Sequence, residues 1–109
     1  MTHPGSSAHD DVSAADLSTF EKELLFAIAE IEAAGDDPYG LEIKRRIADQ
    51  LEIEVNHGRL YPNLDDLVEY GLVEKSELDK RTNEYSLTDA GAKLITNYAQ
   101  RLESLDETL

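Results

Sequence analysis

His57, Arg59, Tyr61 and Asn63 fall within one short run of the chain, an imidazole, a guanidinium, a phenol and a carboxamide almost side by side. Such groups donate to phosphate oxygens and read the edges of bases. Gly58, set among them, lets a backbone come close to phosphate. The residues that follow decide how these groups are presented. Leu60, Leu64, Leu67 and Val68 recur at i, i+4, i+7 and i+8, which predicts a helix whose apolar face, about 100° wide, belongs to a core. Asp65, Asp66 and Glu69 lie further along the same helix, where a phosphate backbone would repel them. Only the N-terminal end can therefore enter a groove, which is how helix-turn-helix proteins dock. Asn56 suits the N-cap and Gly71 the residue just past the end, and Leu72-Val73 resumes as strand.

Pro62 inside this helix removes one backbone bond and crowds the carbonyl four residues back, that of Gly58. A glycine there relieves the clash, so the pair reads as a bent first turn; the other reading starts the helix at Leu60.

The elements needed to hold this helix are legible on either side of it. Ser18-Thr19-Phe20-Glu21 matches a capping box, and Phe20, Leu24, Ala27, Ile28 and Ile31 repeat at helical spacing up to Gly35. After Asp36, Asp37 is placed to cap and Pro38 to open a second helix, with Ile43, Ile47 and Leu51 inward and Lys44, Arg45 and Arg46 outward. That basic run is either a solvated face or, with Lys44 and Arg45 foremost, a contact to the phosphate backbone that the first helix of such a pair crosses. Glu52 to Val55 forms the turn between the two helices. Beyond the third helix, Leu72–Leu78 and Thr82–Leu87 alternate as short strands around a basic tip, Asp79-Lys80-Arg81, with Lys80 and Arg81 as candidate DNA contacts. Two such strands must lean on the helices to be stable. The fold class expected is mainly α with a small β-hairpin: a winged helix-turn-helix with a C-terminal dimerisation helix.

That last helix is capped by Thr88 and runs from Asp89 to near Leu109. Ile95, Tyr98, Leu102, Leu105 and Leu109 step by three and four, the spacing of a two-helix seam. The seam either packs back on the first helix or joins two subunits, and both can hold together. The boundaries expected are a mobile tail over 1–12, a winged-helix domain over 13–88 and a dimerisation helix over 89–109.

Composition narrows the function. With 109 residues, 40% of them apolar, the chain has room for one modest core. No apolar run approaches the length of a membrane span and no leader is expected, which places the protein in the cytosol. Cys 0 excludes disulfides, thiolate nucleophiles and thiol redox switches. His3 and His9 lack a third ligand nearby, so no metal is expected, and no nucleophile–base pair or phosphate-cradling loop points to catalysis or a cofactor. Twenty-four Asp and Glu against ten Lys and Arg leave a net charge of −14, the reverse of the usual nucleic-acid binder. Either the protein does not touch DNA, or it works in concentrated salt, where repulsion is screened within about 3 Å at 1 M. The carboxylates are dispersed along the chain, which favours the second reading.

Four blocks in order, Tyr39-Gly40-Leu41-Glu42-Ile43, Gly58-Arg59-Leu60-Tyr61-Pro62-Asn63-Leu64, Leu67 with Tyr70-Gly71-Leu72-Val73, and Tyr85-Ser86-Leu87-Thr88-Asp89-Ala90-Gly91, resemble the PadR family of winged-helix transcriptional regulators. The resemblance implies a homodimer on double-stranded DNA with a pseudo-palindromic operator, the third helix in the major groove and the wing beside it. It also implies a role in the response to oxidative stress. By position, His57, Gly58, Arg59, Tyr61, Pro62 and Asn63 stand at the family's reading end. Thr82-Asn83-Glu84 replaces the family's basic run before the second-strand tyrosine, leaving the wing to Lys80 and Arg81. Given the acidic surface, cations are expected at the protein–DNA interface. The alternatives are a winged-helix protein-interaction module, which negative charge would suit, and a repressor that responds to a small ligand.

Overall fold

The computed structural model describes residues 12–109; most of the expected tail, with His3 and His9, lies outside them. Four helices and one hairpin follow a short 3-10 turn at Ala14–Asp16: α1 Thr19–Ala33, α2 Gly40–Leu51, α3 His57–Glu69, β1 Val73–Glu77, β2 Asn83–Leu87 and α4 Asp89–Thr108.

α1 is the hub, packed against α2, α3, β2 and α4. It begins as its capping box requires: Glu21 N–H donates to Ser18 Oγ at 3.1 Å, and Ser18 N–H to Glu21 Oε1 at 2.8 Å. It ends at Gly35, whose φ of +83° suits a residue without Cβ; Asp36 N–H then reaches the Ile31 carbonyl and Gly35 N–H that of Glu32, both at 3.0 Å. Leu24, Leu25, Ala27, Ile28 and Ile31 are completely buried, and they meet Ile43 and Ile47 of α2 and Leu60, Leu64 and Leu67 of α3 in one core.

α2 starts two residues later than its sequence suggests. Tyr39 is the N-cap, not Asp37, and Pro38 is not the first helical residue. The reason is tertiary. The Pro38 carbonyl accepts the Tyr85 N–H at 2.9 Å and Tyr39 bridges Glu84, so this segment is drawn out as a third edge along β2. Leu51, expected inward, is 37% exposed, because the chain leaves α2 through Glu52 in the left-handed region and Val55 takes the buried place in the turn.

α3 is helical from His57, so its first turn precedes Pro62 and a start at Leu60 is not what forms. It ends as α1 does: Gly71 at φ +79°, with Gly71 N–H on the Val68 carbonyl and Leu72 N–H on that of Leu67, both at 3.0 Å. β1 and β2 pair antiparallel, Val73 opposite Leu87, Lys75 opposite Tyr85 and Glu77 opposite Asn83. Both strands are shorter than expected; Leu78 and Thr82 close the hairpin through a Leu78 N–H bond to the Thr82 carbonyl at 2.9 Å. Thr88 caps α4 through Gly91 N–H at 3.1 Å while its hydroxyl donates to the Gly71 carbonyl at 2.6 Å, which fastens α4 to the end of α3.

Candidate nucleic-acid interface

The first turn of α3 is set by Asn56, whose side chain accepts the Arg59 N–H at 2.9 Å. His57 and Gly58 are exposed there. The His57 ring meets Tyr61 edge-on, with centroids 5.4 Å apart. Tyr61 is half-buried, its ring lying across Gly40 at the start of α2: a Cβ on Gly40 would come within 2.8 Å of the phenol oxygen. A glycine is thus needed at 40 for Tyr61 to lie where it does, and the phenol is as much a strut between α2 and α3 as a reader. Asn63 turns its amide back, donating to the Arg59 carbonyl at 2.8 Å. The Arg59 guanidinium lies 3.9 Å from the centre of the Phe20 ring on α1.

The hairpin tip is shaped by Asp79, whose Oδ1 accepts the N–H of Arg81 and of Thr82, each at 2.8 Å. Those bonds favour the ionised carboxyl and hold its pKa below the ordinary value. Lys80 and Arg81 stand exposed on this turn, without an ion pair among the described residues. Arg81 and Tyr61 share a cleft of about 530 Å³ with Tyr39, Lys75 and Tyr85, bounded by α3, the wing and the start of α2. Burial, with the nearby Asp65 charge adding, pushes the Tyr85 phenol up and keeps it neutral.

Lys44 and Arg45 do not line this cleft. Arg45 pairs with Glu42 on its own helix at 3.5 Å, and Arg46 turns toward α1, 3.9 Å from Glu30, which also accepts from Gln50 at 2.8 Å. Lys44 is half-buried and outside any ion pair among the described residues. Nothing in the sequence marks Lys75 or Tyr39 as lining this cleft. Lys75 ties β1 to α3 through Asp65 at 3.7 Å, and a lone lysine in a strand carries no signal of that partner. The Asp65 carboxylate on α3 is therefore already matched by a cation.

The α4 stripe divides. Ile95 packs on the core, and Tyr98 stacks on Phe26 of α1 at 5.7 Å, with Lys22 and Arg101 each 5.3 Å from its ring. Leu102, Leu105 and Leu109 are 44%, 55% and 94% exposed. Beside Tyr98 a second cavity, about 450 Å³, opens between Val12–Ala15 and α4, lined also by Leu72, Leu94, Lys93, Asn97 and Arg101. Among the described residues no three His, Asp or Glu side chains are placed to hold a metal ion, and no helix is long and apolar enough to cross a membrane.

The model of the transcriptional regulator PadR-like family matches residues 31–97. RosR of Halobacterium salinarum, from crystals grown in NaBr, is 51% identical over 84% of this chain and 79% of that one, with a TM-score of 0.77. A complex structure of RosR-S4 is 50% identical, covering 89% and 78%, with a TM-score of 0.76. The MepR–DNA complex of S. aureus, at 19% identity over 93% of this chain and 68% of that one, shares the fold with a TM-score of 0.63. No curated protein matches the chain.

Proposed function

The chain belongs to the PadR-like family of winged-helix transcriptional regulators, and from that premise we propose that it acts as a homodimer on a pseudo-palindromic double-stranded operator, in concentrated salt, in the response to oxidative stress and without enzymatic activity. The observation that carries the dimer is the far half of α4, where Leu102 and Leu105 continue an apolar stripe with no cover among the described residues. A second copy supplying the same stripe buries both, and sets two reading ends on one face of the duplex. His57, Gly58, Arg59, Tyr61 and Asn63 then enter the groove, and Lys80 and Arg81 grip the backbone beside it. Lys44 and Arg45 take a smaller share of phosphate contact, Arg45 because it is held by Glu42. The stress assignment rests on the likeness to RosR. With Cys 0, an oxidant signal is read without a thiol.

Salt provides the test. Each phosphate contact releases a counterion, giving a slope of about −0.9 in log K against log salt. A dimer carrying twice the −14 of one chain opposes that attraction at low ionic strength, and Asp66 beside the groove favours cation uptake, which has the opposite sign. Gel shift on genomic fragments between about 0.5 and 2 M KCl, where Debye lengths are only a few Å, is expected to give a shallow or positive slope. Circular dichroism and light scattering must show a folded dimer at each point. A steep loss of affinity by a folded dimer would remove the acidic surface from the interface.

The cavity beside Tyr98 supports a second reading, a repressor that responds to a small amphipathic anion, since its lining combines the apolar Leu72 and Leu94 with Lys93, Asn97 and Arg101. Thermal shift with aromatic carboxylates tests it; no shift with any of them argues against this reading.

A further inference from the structure

Arg59 differs from the ion-paired cations near α2, α3 and the wing in what holds it, although one of them, Lys75, also lies 5.8 Å from the Tyr85 ring centre. Arg45, Arg46 and Lys75 are matched to Glu42, Glu30 and Asp65. In a chain with 24 carboxylates to ten Lys and Arg, Arg59, like Lys44, Lys80 and Arg81, forms no ion pair among the described residues. It is held at three other points. Its N–H donates to Asn56 Oδ1 at 2.9 Å, its carbonyl accepts from Asn63 Nδ2 at 2.8 Å, and its guanidinium lies 3.9 Å from the Phe20 ring centre. Phe20 is only 7% exposed and belongs to the core, so the ring is an immobile platform.

A guanidinium over an aromatic face spends its own flat face on the contact and keeps its N–H donors in the plane, at the edge. That is the edge which forks to guanine or to phosphate. Resting on the reading that Arg59 meets DNA, we propose that Phe20 is a positioning residue for recognition: its ring holds the Arg59 guanidinium in one orientation, away from neighbouring carboxylates, with its donor edge open. Asn63 then also serves from within, by fixing the Arg59 backbone. The ordering of a long side chain is accomplished in the free protein, so less is lost on binding.

The experiment uses the full chain in molar KCl, a duplex that it selects from a randomised library, and a random duplex of equal length. Arg59→Ala is expected to cut discrimination between the two by about five- to 150-fold, the worth of one base contact. Phe20→Leu, which fills the core while removing the ring, is expected to cut it by about two- to thirty-fold with binding to random DNA unchanged. Phe20→Tyr, which keeps the ring, is expected to restore it. In the double variant Phe20→Leu with Arg59→Ala, the loss should equal that of Arg59→Ala alone. No loss for Arg59→Ala removes Arg59 from the bases, and the proposal with it. Loss for Arg59→Ala with none for Phe20→Leu overturns the role of Phe20 alone. Equal loss on both duplexes for Phe20→Leu, or no recovery with Phe20→Tyr, assigns the ring to the core only.

Discussion

The two halves of α4 carry one apolar repeat and meet opposite surroundings. In the first half Gly91 and Leu94 are buried, Ile95 packs on the core and Tyr98 lies on Phe26. In the second, Leu102, Leu105 and Leu109 hold the same spacing in water, and every residue from 101 on is exposed. The difference is one of reach. The contacts of α1 with α4 reach along it to Tyr98, which meets Phe26 and Lys22, and the turns that follow are exposed. A stripe of this kind identifies an apolar face; the protomer covers the first half of that face and leaves the second exposed.

The sharpest way to break this contrast is Leu102→Asp, a charge placed in the uncovered half. It is expected to leave a folded monomer by circular dichroism and light scattering, and to weaken DNA binding by about 100- to 10,000-fold, the advantage of two linked half-sites. An unchanged dimer would show that the far half of α4 is not its interface.

Next in size is Gly91→Ala in the covered half. A Cβ at 91 would run into the Leu72 carbonyl, backbone that cannot swing aside, so a loss of about 3 kcal/mol is expected in urea unfolding. Full stability would mean that α4 is not seated on Leu72 as closely as the structure has it.

Tyr98→Ala probes the boundary between the halves. Losing the stack on Phe26 and the contacts of Lys22 and Arg101 is expected to cost about 1 to 2 kcal/mol while the dimer persists in light scattering. Dissociation without loss of stability would move Tyr98 into the seam between subunits.

Leu109→Ser should matter least. At 94% exposure and the helix end, it is expected to change stability by less than about 0.5 kcal/mol and leave the dimer intact. Dissociation here would extend the interface to the last turn.

Local signals account for most of the fold. Ser18, Asn56 and Thr88 cap the helices for which their side chains suit them, and Gly71 ends α3, because a cap depends on residues three or four apart in the chain. The start of α2 escaped the same reasoning. Asp37-Pro38 is a good helix opening, but the Pro38 carbonyl and Tyr39 were claimed by β2, an element more than forty residues away. Of the candidate site, the sequence identifies which residue types gather at the start of α3 and at the wing tip. It does not show that Arg45 is held by Glu42 or that Asp65 is matched by Lys75, since an ion pair depends on side-chain geometry that composition does not contain.

By itself the sequence determined the order of helices and hairpin, the apolar face of each helix, the acidic surface and the absence of thiol chemistry, all of which follow from residue type and spacing along the chain. Only the tertiary structure decided that Tyr61 lies across Gly40, that Arg59 rests on Phe20, and that α4 is covered as far as Tyr98 and uncovered from Leu102. Periodicity states which side of a helix avoids water; which neighbour meets that side depends on helix lengths and crossing positions, and these are settled when the whole core packs.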